Sequence, residues 1–180
     1  FLVGGHDLIV FFRTQVPRDP EGTFCEFCID RIDMARMGYD DNDRPTKKEA
    51  FVPGFLEQGT LEGQPKPELV VMNNWPVAVK FISSDGDMMH VNRTEHYFSV
   101  PELKPILTVP TFAYLEQRGG PGGPTNMNVE RTVRFIPEDE ESTSLFEVEV
   151  ITTIDDGKST NEFFVWNEAQ HKFIPKSKPS

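Results

Sequence analysis

Phe24-Cys25-Glu26-Phe27-Cys28-Ile29-Asp30-Arg31-Ile32-Asp33-Met34-Ala35-Arg36-Met37-Gly38 contains both cysteines of this 180-residue chain, three positions apart. Cys28, Ile29, Ile32 and Ala35 fall at helical spacing with charged residues between them, and Gly38 stands where a helix would stop. The spacing therefore predicts a helix that begins at the cysteine pair. At such a place, unpaired N–H groups and the helix dipole stabilise a thiolate, so Cys25 would be the nucleophile. Cys28, three residues on, would then displace a mixed disulfide. The spacing alone leaves two other readings open: an inert pair of thiols or a structural disulfide, and half of a metal site.

Upstream, Asp7 to Thr14 is a continuous apolar run entered from Gly4-Gly5, which reads as a strand buried on both faces of a parallel or mixed sheet. Gln15 to Thr23 carries Pro17, Pro20 and Gly22 and reads as a loop. Downstream, Tyr39 to Gln64 is polar and longer than most connections, an exposed insertion with a short helix at Lys47 to Val52. Val77 to Ser83 alternates as a strand, His90 to Phe98 suits a short helix, and Thr108 to Leu115 reads as a strand opening at Pro110. Gly119-Gly120-Pro121-Gly122-Gly123-Pro124 separates this part from a β-rich tail. In that tail Phe146, Val148, Val150, Thr152 and Ile154 alternate with period two, and Asp155-Asp156-Gly157-Lys158 suits a hairpin to a strand at Glu162 to Trp166.

The order of buried strand, Cys-x-x-Cys, helix, strand, then Val109-Pro110-Thr111 resembles the thioredoxin superfamily, most closely its small thioredoxin-related proteins of the clot type. The resemblance covers roughly residues 5 to 118. It implies an α/β fold, a mixed sheet flanked by helices, over 1–118 with the insertion at 39–64, followed by a β-rich extension over 125–180. It further implies a thiol–disulfide oxidoreductase acting on a disulfide-containing protein or small molecule. Cys25 and Cys28 would be the catalytic pair, and Phe24, Val109 and a cis Pro110 would position substrate. Phe24 stands where that family has Trp, and Glu26-Phe27 replace its Pro-Asp. The alternative is a non-catalytic subunit that docks into a larger assembly through the insertion and the extension.

Composition bounds the partners. With 29 Asp+Glu against 18 Lys+Arg the net charge is −11, and Lys47-Lys48 is the one adjacent basic pair, which disfavours a nucleic-acid partner. The longest apolar run, Leu8 to Phe12, is far below the roughly 20 residues of a membrane-spanning helix. No cofactor is implied and no metal site is assigned, although Cys25, Cys28, His90 and His96 form an allowed zinc ligand set. His90 and His96 read as surface residues, His6 and His171 have no evident partners, and Trp75 and Trp166 read as core closures. Glu138 to Glu141 reads as a solvated turn. The compartment is left open.

Overall fold

The computed structural model describes residues 2–3, 7–17, 28–42, 44–57, 67–73, 75–86, 90–100, 102–117, 125–139, 147–154 and 157–176. Strands β1 (Leu2–Val3), β2 (Asp7–Pro17), β3 (Cys28–Tyr39) and β4 (Pro45–Glu57) form one four-stranded sheet in that order. Strands β5 (Glu68–Met72), β6 (Trp75–Gly86), β7 (His90–Ser99) and β8 (Pro105–Gln117) begin a second sheet. It continues through β9 (Thr125–Ile136), β10 (Glu147–Ile154), β11 (Ser159–Asn167) and β12 (Lys172–Pro175). These eight strands lie side by side in chain order, and every pairing in both sheets is antiparallel.

The α/β expectation is overturned: among the described residues there is no helix, and neither sheet is parallel or mixed. The thioredoxin-like fold, with its helix after the cysteines, falls with it. Cys28 is the first residue of β3, paired with Pro17 across an antiparallel ladder that runs to Leu8↔Met37. The apolar spacing of 28, 29, 32 and 35 fits a helix, but Asp33, Met34 and Ala35 are all buried, as a strand covered on both faces requires. A short apolar run is compatible with either state, and here the ladders that β2 and β4 offer on both sides decide it. Pro53 and Gly54 fall where the β3–β4 register shifts between Ile32 and Met34, so the proline sits at an irregularity that needs no ladder N–H. The short helices expected at 47–52 and 90–98 are likewise strand, in β4 and β7. The expected strands at 7–14, 77–83, 132–136, 145–154 and 162–166 fall on β2, β6, β9, β10 and β11.

Among the described residues two apolar clusters hold the sheets. Val79 and Phe81 of β6 and Phe98 of β7 pack with Leu103 and with Ile9 and Met34 of the four-stranded sheet, so this cluster joins the two sheets. On the opposite face of β6, Ala78 packs with Tyr97, Leu107, Val109, Val148, Val150 and Phe173. Strand β6 is thus buried on both faces, which explains its unbroken run Val77-Ala78-Val79. Phe173 of β12 shares that cluster with Leu107 and Val109 of β8, four strands away in the sheet order, so the eight-stranded sheet curls around its own interior. In β10, Val148, Val150 and Thr152 point inward, which is the period-two alternation of the sequence. The β10–β11 hairpin closes as the turn residues predict: Gly157 has a φ of 76°, Gly157 N–H donates to the Ile154 carbonyl at 2.8 Å, and Ile154 N–H donates to the Lys158 carbonyl at 3.1 Å.

Candidate functional site

In an up-and-down sheet, alternate connections emerge at the same end, and here those after β5, β7, β9 and β11 do so. All three non-glycine residues with positive φ, among those described, lie at this end: Asn73 (48°), Leu103 (55°) and His171 (48°). For a leucine this conformation is costly and persists because the surroundings fix it. Leu103 is 1% exposed, and its side chain is anchored in the inter-sheet cluster. Ser99 closes the same turn: its N–H donates to the Lys104 carbonyl at 2.8 Å, and it accepts from Leu103 N–H at its carbonyl (2.9 Å) and from Lys104 N–H at its hydroxyl (3.2 Å). Val100 N–H donates to the Val77 carbonyl, tying the turn to β6.

The β11–β12 turn stands opposite. Gln170 N–H donates to Asn167 Oδ1 at 2.9 Å, and His171 N–H donates to the Glu168 carbonyl at 3.4 Å. Between the two turns lies a cleft of about 310 Å³ lined by Ser99, Val100, Glu102, Lys104, Trp166, Glu168 and His171. That is the low end of the range for sites that hold small molecules, roughly 300–1,000 Å³.

The wall of the cleft continues into the core. Trp166 packs edge-to-face on Phe173 at 5.3 Å and on His171 at 6.5 Å, Phe173 on Phe135 at 5.7 Å, and Phe135 on Tyr97 at 5.1 Å. A line of rings therefore runs from the interior to the mouth and fixes the indole. At its inner end the Tyr97 hydroxyl donates to Glu95, and Lys80 pairs with Glu68 at 2.7 Å and with Glu95 at 3.7 Å. Burial, and then the hydrogen bond and negative charge of Glu95, hold the Tyr97 phenol well above its usual range. At the mouth, Glu102, Lys104 and Glu168 are exposed, and among the described residues none of their side chains makes an ion pair.

The residues singled out from sequence are placed elsewhere. Phe24 and Cys25 lie outside the described residues. Cys28 opens β3, so the helix terminus that was to activate the pair is not there. Val109 is a core residue of the curled sheet, and it and Pro110 lie in a different sheet from Cys28. Pro110 does not open its strand. It sits in the middle of β8 at a register shift, paired with Thr94 while Phe112 pairs with Arg93, and its carbonyl accepts from Arg131 Nη1 at 2.9 Å. A bulge is where a strand tolerates proline. Among the described residues no group of three or more His, Cys, Asp or Glu could hold a metal ion. His96 is half-buried at 2.8 Å from the hydroxyl of Ser83, its diagonal neighbour across β6 and β7, and burial lowers its pKa below the ordinary value. No helix among the described residues is long and apolar enough to cross a membrane.

Sequence pattern alone marks Trp166 as a core closure and assigns no role to Glu102, Lys104, Glu168 or His171. Their signal is topological: once the chain is read as consecutive antiparallel strands, 99–105 and 167–172 are connections of the same parity and meet at one end. No family model, no curated protein and no solved structure matches this chain.

Proposed function

We propose that this protein is a non-catalytic binding module, in which the curled sheet presents the cleft between the 99–104 and 167–171 turns to a partner. The observation that supports this is the cleft itself: one fixed indole, convergent polar groups of both signs, and two turns held in conformations that ordinary residues avoid. Rigid walls favour binding because little side-chain freedom is lost on association. The chemistry of exchange at a helix-borne cysteine pair has no such support, since β3 begins at Cys28.

The test is a fragment screen followed by backbone amide and indole NMR signals of the full chain. Binders are expected to shift amides of 99–104 and 168–171 together with the Trp166 indole, which a Trp166→Phe variant identifies. Binders that map to other surfaces, with the Trp166 indole unmoved, would overturn the proposal.

A further inference from the structure

Resting on that reading of the cleft, we infer that its ligand is cationic: an arginine- or lysine-bearing segment of a partner protein. The cleft is lined by the Trp166 indole and by Glu102 and Glu168, both exposed. An aromatic surface and carboxylates are what a guanidinium or ammonium group recognises. Neither carboxylate makes an ion pair among the described residues, so a ligand cation would not have to displace an internal partner. The volume of about 310 Å³ suits one long side chain rather than a folded surface.

The charge around the cleft extends the argument from a single cation to a segment. The β9–β10 connection emerges at the same end and begins with exposed Glu138 and Asp139. A chain of net charge −11, with exposed Glu138 and Asp139 at the same end of the sheet as Glu102 and Glu168, attracts a ligand carrying several positive charges more than an isolated amine. Among the described residues Lys104 is the one lysine or arginine that lines the cleft, and it gives the inference a signature: the carboxylates must assist binding while Lys104 opposes it.

The experiment is a calorimetric titration of the full chain at low and physiological salt with three probes. These are a short end-blocked peptide alternating arginine and glycine, its glutamate counterpart, and ethylguanidinium alone. The arginine peptide is expected to bind, to shift the Trp166 indole and to weaken with salt. Glu102→Gln and Glu168→Gln should each weaken it by about two- to fivefold, and Lys104→Gln should tighten it by a similar factor. All three residues are exposed, so the variants are expected to melt with the wild type.

A reversed pattern, with the glutamate peptide preferred and Lys104→Gln weakening it, would overturn the assignment of a cation while leaving the cleft as a binding site. Ethylguanidinium binding as tightly as the peptide would overturn the assignment to a protein segment. If no probe moves the Trp166 indole while fragments do, the cationic inference falls alone, and if fragments fail as well, both readings fall.

Discussion

Leu103 separates two effects that usually run together in a core substitution. It is 1% exposed, packs with Ile9, Val79 and Phe81, and holds a φ of 55°. Leu103→Ala removes a buried side chain and leaves a cavity, a loss of about 2–5 kcal/mol. The alanine still has a Cβ in the left-handed region, which costs about 1–2 kcal/mol. Leu103→Gly loses one further buried carbon, about 0.8 kcal/mol, and gives the unfolded chain about 0.4–1 kcal/mol more freedom. Against this it releases the left-handed strain of about 1–2 kcal/mol, so the two variants should agree within about 0.8 kcal/mol. Ala78, 0% exposed and in the middle of β6, provides the control. Ala78→Gly loses the same carbon and the same freedom with no strain to release, and should cost about 1–2 kcal/mol. Urea unfolding of the three variants and the wild type reads these differences directly, provided the slopes agree. If Leu103→Gly falls below Leu103→Ala by as much as Ala78→Gly falls below the wild type, the turn stores no strain and the argument that it is held rigid fails.

Phe81→Ala should cost about 3–5 kcal/mol, since the ring is 1% exposed and meets Phe98 edge-to-face at 6.0 Å. In a double-mutant cycle with Ile9→Val it should couple by more than about 0.5 kcal/mol, and strict additivity would deny that the two sheets share a core. The raised pKa of Tyr97 means that its neutral form is favoured in the fold, so its contribution is complete below the ordinary phenol pKa of about 10 and declines above it. Tyr97→Phe should flatten the alkaline limb of a stability profile, and an unchanged limb would refute this. For His96 the sign is opposite: a lowered pKa means stability that is present above the ordinary imidazole value of about 6.5 and lost as pH falls below it. His96→Gln should reduce the loss between pH 7 and 5, read by thermal melts. On the outer face, Arg134 pairs at 2.7 Å with Glu149, which also accepts from Asn161 Nδ2 at 2.7 Å. Arg134 is 64% exposed but the Glu149 side chain only 8%, so Arg134→Met leaves a buried carboxylate with Asn161 alone among the described residues and should cost more than about 1 kcal/mol, and a smaller loss in urea titration would show that water reaches the carboxylate.

The strands that were legible in the sequence are those whose pattern admits one reading. Phe146 to Ile154 alternates with period two and is rich in β-branched residues, and Asp155-Asp156-Gly157-Lys158 supplies a turn with a glycine where positive φ is needed. The misread strands are those in which both faces are covered or charges interrupt the alternation. Cys28 to Ala35 presents apolar groups at helical spacing, yet its neighbours β2 and β4 supply hydrogen-bond partners along both edges. Pro110 misled in the same way, because a bulge within β8 accommodates it as well as a strand start does.

The sequence by itself determined that this chain has an acidic surface and enough aromatic and β-branched residues for a core. It also determined that its C-terminal third is built of hairpins, because composition and period-two alternation are local properties. Only the tertiary structure decided that the region around the cysteines is sheet, that β6 is buried on both faces, and that Trp166, Glu102, Glu168 and Lys104 share one cleft. Those outcomes depend on pairings between residues tens of positions apart. Which edge a strand finds, and which turns meet at the end of a curled sheet, are set by the packing of the whole chain rather than by any window of it.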